Sequence, residues 1–224
     1  MSGSPQDISP VVTENIYAEY LQRLIAGDRT GCASTVDRLC EAGAGATDLY
    51  LNLFQRSLYA VGEMWEQHQV SVATEHLATA ITERLLTSVH ARTVQVPSRE
   101  RSAVIACVAG EHHQVGSRMV ADMIELRGWR VTYLGANTPM EDLLQFLDSS
   151  KPNVLGLSLS IARNLDALDR ALGEVNRAHP QLPILLGGQA VLRASPAEFD
   201  GRWNTTIVAS LGELEGVITG YECG

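Results

Sequence analysis

This chain of 224 residues lacks several features that would define its role at once. It has no apolar run long enough to span a membrane, and its first residues lack the pattern of a signal peptide. Basic residues are few: 17 Lys and Arg stand against 26 Asp and Glu, a net charge of −9. Direct nucleic-acid binding needs clustered cations for the phosphates, so this balance argues against it. Cysteine is scarce too. Cys32, Cys40, Cys107 and Cys223 have neither zinc-ligand nor redox-pair spacing, so buried free thiols in a reducing cytosol are expected. No internal repeat is visible. What remains is an ordinary globular composition, 45% hydrophobic and 19% charged, long enough for one large or two small cores.

The pattern changes once along the chain. Residues 1–12 are polar and proline-bearing and read as a disordered leader. Residues 13–92 have helical spacing. The first helix carries Ile16, Tyr17, Tyr20, Leu21 and Leu24 and ends near Gly27-Asp28, and a second runs from Ala33 to Ala42. A third follows a Thr47-Asp48 cap through Leu51, Phe54, Leu58 and Val61 to about Gln67. A fourth starts at a Ser71 cap and runs towards Val89. Four helices with short turns predict an antiparallel bundle. Thr93 to Arg101 reads as a linker. Over 102–224 strands and helices alternate, with strands expected at 103–108, 129–134, 154–159, 184–186 and 206–209. Such alternation predicts a Rossmann-like, doubly wound parallel sheet, an α/β part behind an all-α one.

The densest chemistry lies at the end of the first strand, in Val104-Ile-Ala-Cys-Val-Ala-Gly-Glu-His-His-Gln-Val-Gly116. An unbroken apolar strand runs into a polar loop and then a helix whose apolar face offers Met119, Val120, Met123, Ile124 and Leu126. Ligands of open α/β sheets sit at such carboxyl ends. Glu111 stands two residues before His113, and a carboxylate that accepts a ring N–H makes the other nitrogen a better metal ligand. Gly116 permits close approach of backbone or ligand. Forty-one residues separate Gly116 from Ser158-Leu-Ser160, and twenty-six separate Ser160 from Gly187-Gly188.

Glu-x-His-x-x-Gly with these two later motifs resembles the signature of cobalamin-binding domains. The resemblance implies a corrinoid cofactor with His113 as the lower cobalt ligand and the serine and double-glycine motifs along its nucleotide tail. Two positions depart from the family: Glu111 replaces the usual aspartate, and Ser160 a common leucine. His112 is read as a loop residue beside the ligand, and His90 and His179 as surface residues at helix ends. Arg163 and Asn164 are read as an exposed helix start.

In the bundle, Trp65, Val72, Glu75 and His76 resemble the motif of CarH-type cobalamin photoreceptors, in which these four places surround a 5′-deoxyadenosyl group. Alone, a tryptophan and a histidine would read as a core aromatic and a satisfied polar group. The resemblance covers about residues 13–224, without the family's winged-helix DNA-binding module. Glu66 stands where well-known members have a histidine that captures cobalt after illumination. His68 lies nearby at a different spacing. The implied binding set is Trp65, Val72, Glu75, His76, Glu111, His112, Gln114, Val115, Gly116, Ser158, Ser160, Gly187 and Gly188, with His113 on the metal.

The resemblance implies a non-enzymatic, cytoplasmic adenosylcobalamin sensor that signals to a partner protein and forms a homo-oligomer. A corrinoid methyl carrier is the alternative, although an aromatic cap would obstruct its upper face. A photocobilin with an added bilin is a third reading, to which no residue is assigned. A mutase would need a substrate barrel that this chain lacks.

Overall fold

The computed structural model describes residues 11–93, 101–194, 199 and 201–223. The chain divides into two compact units, separating after Thr93. The first is all helical: α1 (Glu14–Ile25), α2 (Arg29–Glu41), α3 (Ala46–Asp48), a π-helical segment (Leu49–Gln55), α4 (Arg56–Glu66) and α5 (Val72–Thr93). Thr13 caps α1 through its hydroxyl, which accepts from the Ile16 N–H, and Tyr17, Tyr20 and Leu24 form the buried stripe. Val12, expected in the leader, is fully buried. The rest of that leader and residues 94–100 of the linker lie outside the described residues.

Two helix starts differ from expectation. Asp28 accepts from the Gly31 N–H at 2.9 Å, so α2 begins four residues before Ala33. Thr47 and Asp48 do not cap the third helix. They lie within a helical stretch that runs unbroken from Ala46 to Glu66. The π turns inside it explain the shifted stripe, because each takes in an additional residue. Leu49, Tyr50, Leu53, Phe54, Ser57 and Val61 are buried, whereas Leu51 and Leu58 are only half-buried. Phe54 packs on Tyr20 and Tyr50, with ring centres 6.3 and 6.1 Å away. Arg56 forks onto both carboxylate oxygens of Glu14, at 2.8 and 2.7 Å, and lies 3.6 Å over the Tyr17 ring, joining α4 to α1. The Ser71 cap is as expected: its hydroxyl accepts from the Thr74 N–H at 3.1 Å.

The second unit holds β1 (Ser102–Cys107), α6 (Val115–Leu126), β2 (Arg130–Gly135), α7 (Met140–Ser150), β3 (Val154–Ser158), α8 (Leu165–Ala178), β4 (Ile184–Gly187), α9 (Gln189–Arg193), β5 (Thr205–Ile207) and α10 (Leu211–Cys223). All strands are parallel, in the order β2-β1-β3-β4-β5. Strand alternation sorts the core. Val104, Ala106 and Val108 join Leu143, Leu147, Leu168, Leu172 and Val175 on the face of α7 and α8. Ile105 and Cys107 are likewise buried, and α6 packs against β1, β2 and α10. Trp129, expected in the second strand, is fully buried just before β2 and donates its indole N–H to Glu222. His90 and His179, expected at the surface, are half-buried. The His179 Nε2 lies 3.5 Å from an oxygen of Asp148 on α7.

From β1 the chain crosses towards β2, and from β3 it crosses the other way towards β4. The strand order therefore reverses between β1 and β3, the place where open parallel sheets bind ligands beyond their carboxyl ends. Among the described residues no helix is long and apolar enough to cross a membrane.

Candidate functional site

The loops leaving β1 and β3 meet through one carboxylate. Glu111 is fully buried. Its Oε1 accepts from the His113 N–H at 2.8 Å and from the His113 Nδ1 at 2.6 Å. Its Oε2 accepts from the N–H groups of Ser160 and Ile161, at 2.7 and 2.9 Å. Burial alone would raise the carboxyl pKa. The ring and backbone donors from His113, Ser160 and Ile161 outweigh it and lower the value to about 2. Glu111 is therefore ionised and can only accept, so the proton of a neutral His113 ring sits on Nδ1 and the lone pair on Nε2. The His113 side chain is 59% exposed on this anchored base.

The same loop is tied on both flanks. Asn137, after β2, accepts from the Gly110 N–H at 2.8 Å, and the Asn164 amide donates to the Gly110 carbonyl at 3.0 Å. Asn164 thus supports the β1 loop and is not only a helix start, while Arg163 is exposed. Gly110 adopts φ +82°, a conformation that favours glycine. Sequence reading missed Asn137. The only local signal is its place at a strand's carboxyl end, where Asn readily takes the positive φ of +50° seen here.

The later motifs close around this loop. Leu159, between Ser158 and Ser160, donates its N–H to the Gly187 carbonyl at 3.0 Å. Gly188 has φ +104°, and a Cβ there would lie 2.2 Å from the Leu159 carbonyl oxygen. The second glycine is therefore a close-approach position as well as a turn. A Cβ on Gly116 would meet nothing within 4 Å, and Gly116 and His112 are exposed while Val115 is buried at the start of α6. Gln114 is half-buried.

The four bundle residues flank one turn. Trp65 lies in the last turn of α4 and Val72 opens α5; they are 46% and 51% exposed. Between them His68 takes φ +58° and, with Gln69, donates its N–H to the last carbonyls of α4. Glu75 accepts from the Thr79 hydroxyl at 3.0 Å, and its other oxygen lies 3.6 Å from the His76 Nε2. Glu66 and His68 are both exposed.

The donor set fits a corrinoid. An imidazole is a suitable ligand for a transition metal when its second nitrogen is held by a carboxylate. His113, anchored by Glu111, meets that requirement, and the space at Gly116, three residues on, is open. Cys107 is a buried free thiol, as expected, and burial raises its pKa.

Comparison with known proteins agrees with the geometry. Residues 101–216 match the family described as B12 binding domain, and residues 16–89 match a second family with that description. Two curated relatives from Myxococcus xanthus are similar. The HTH-type transcriptional repressor CarH is 35% identical over 132 residues, 58% of this chain and 43% of that protein. The HTH-type transcriptional repressor CarA is 34% identical over 120 residues, 54% and 41%. The matched part is thus less than half of each relative. The monomethylamine corrinoid protein of Methanosarcina barkeri has the same fold, with a TM-score of 0.79 at 14% identity over 93% of this chain and 99% of that one. The methanol:cobalamin methyltransferase complex MtaBC of the same organism gives 0.51 at 14% identity, over 100% and 86%. A match over all five strands, joined to a helical match and to a carboxylate-held histidine at the switch point, places this chain in the B12-binding domain family.

Proposed function

We propose that this cobalamin-binding chain is a light sensor that holds adenosylcobalamin, with His113 as the lower cobalt ligand, and signals through a partner chain. One observation carries the sensor reading. Trp65 and Val72 stand about half exposed on either side of one turn, next to Glu75 and His76. Among the described residues Tyr59 is the only other large apolar side chain exposed to that degree. Apolar area left in water forgoes roughly 25 cal/mol per Å². A nucleoside would cover it: the indole offers a stacking surface, and Glu75 and His76 offer partners for ribose hydroxyls.

Bound adenosylcobalamin would supply a cobalt–carbon bond that light breaks. The chain's own part is to orient and to report. Glu111 keeps the proton of His113 on Nδ1, and His112, Gln114, Val115 and Gly116 line the approach. Ser158, Ser160, Gly187 and Gly188 would border the nucleotide tail. Loss of the adenosyl group would return Trp65 and Val72 to solvent. Exposed apolar surface of this kind changes how copies or partners associate. The two repressors among the relatives favour a regulatory role over a methyl carrier, whose upper face must stay open to methyl donors.

The test compares the chain loaded with adenosylcobalamin in darkness and after green light, by absorption and size-exclusion chromatography. Photolysis with a changed elution volume is expected. Photolysis without any change in association, or none at all, would reject the sensor and favour the carrier. An additional visible band in the purified protein would identify a bilin.

A further inference from the structure

Behind the loop that carries Glu111 and His113 lies a cluster of hydroxyl groups that none of the motifs accounts for. Ser117, in the first turn of α6, is 3% exposed. Its Oγ donates to the Gln114 carbonyl at 2.8 Å. Tyr133, in β2, donates its hydroxyl to the same carbonyl at 2.9 Å, and the Arg118 N–H approaches it at 2.9 Å. The buried Cys107 thiol lies 3.1 Å from the Ser117 Oγ.

The protons can be counted. Each hydroxyl has one. Both can reach the Gln114 carbonyl, and the two hydroxyl oxygens, 3.2 Å apart, can also bond to each other with either as donor. The Ser117 oxygen still has an acceptor site, which the Cys107 S–H can fill. A buried hydroxyl is rarely left unpaired, so Ser117 cannot leave this arrangement without cost. The result fastens one carbonyl to a strand, a helix and the end of β1. That carbonyl belongs to the residue after His113. On the other side, Glu111 holds the His113 N–H and Nδ1. The chain is thus pinned immediately before and after the imidazole.

We infer that Ser117 and Tyr133 are positioning residues for His113: by holding the Gln114 carbonyl they fix the direction in which the ring presents Nε2. The inference rests on the reading of His113 as the cobalt ligand. It predicts that loosening the clamp frees the ring without disturbing the sheet. Gln114 is the N-cap position of α6, and the carbonyl that the hydroxyls hold is the one that accepts the helical N–H of Arg118.

The test uses the full chain as wild type, Tyr133→Phe, Ser117→Ala and the hydroxyl-keeping Ser117→Thr. Amide hydrogen exchange is followed without cofactor, and the absorption spectrum is followed with cobalamin bound. Tyr133→Phe and Ser117→Ala should speed exchange at the His113 and Arg118 amides by roughly three- to tenfold, the worth of one hydrogen bond. They should raise the histidine-off share of bound cobalamin to a similar extent, with exchange in β1 unchanged and Ser117→Thr close to wild type. Wild-type exchange in Tyr133→Phe and Ser117→Ala would overturn the inference. So would faster exchange with an unchanged spectrum, which would mark a purely structural role. If Ser117→Ala fails to fold, Tyr133→Phe decides, since it keeps the ring. If His113→Ala leaves the spectrum of bound cobalamin as in wild type, the ligand reading falls. The clamp is then judged on the cofactor-free exchange alone.

Discussion

Oε2 of Glu111 accepts the main-chain N–H of Ser160 at 2.7 Å, across forty-eight intervening residues, while its other oxygen holds His113. One carboxylate therefore joins the two strand exits that flank the switch point. The added methylene relative to aspartate suits this task, because the group serves donors from two loops at once.

This arrangement makes Glu111 sensitive to neutralisation. Glu111→Gln would turn an amide NH₂ towards either the His113 pair or the Ser160 and Ile161 donors, setting donor against donor. A loss of about 2–4 kcal/mol is expected by denaturant unfolding. The pH dependence has a definite sign. A carboxyl lowered from 4.5 to about 2 stabilises the fold fully above pH 4.5, and this stabilisation is lost as pH falls towards 2. The contribution is on the order of 3 kcal/mol, and Glu111→Gln should flatten the acid limb of the stability profile.

His113→Ala is expected to weaken cobalamin binding or to convert the bound spectrum to the form without histidine coordination. His112→Ala, one residue away but without the Glu111 contact, should change neither. Titration of both variants followed by absorption distinguishes them. Equal effects would remove His113 from its special place.

Trp65→Ala should reduce selectivity for adenosylcobalamin over methylcobalamin. Wild type should prefer the adenosyl form, and the variant should bind both alike, as measured by parallel binding titrations in darkness. Equal binding of both forms by wild type would contradict the cap.

Gly188→Ala should be severe. Its Cβ would lie 2.2 Å from the Leu159 carbonyl, and φ is +104°, so either β3 or β4 must shift. A loss of roughly 2 kcal/mol or more is expected in thermal or denaturant unfolding. Gly116→Ala, with no atom within 4 Å, should cost the cofactor-free fold little and should instead impair cobalamin binding.

Much of this molecule was legible in the order of its residues. Apolar runs and period-3.6 patterns are local, and the unbroken run expected as a strand at 103–108 lies within one residue of β1 at Ser102–Cys107, where Ala103, Val104, Ile105, Ala106 and Cys107 are all buried. Cap chemistry located Ser71, and the change of pattern located the passage from helices to a parallel sheet. The Glu111–His113 pair was legible because two residues of separation confine the contact to a single loop. The third helix was misjudged at its start because Thr47 and Asp48 have cap chemistry, whereas the buried Leu49, Tyr50, Leu53 and Phe54 favour a continuous helix with π turns.

The contacts that only folding creates were not legible. No spacing rule links Glu111 to the Ser160 and Ile161 amides, Asn137 to Gly110, or Tyr133 to the Gln114 carbonyl. They exist because β1 lies between β2 and β3, so that loops far apart in the chain end side by side. The sequence by itself determined which atoms could ligate, cap and stack. The parallel order of the sheet decided which backbone donors surround the carboxylate, and hence that it is ionised and that His113 presents Nε2.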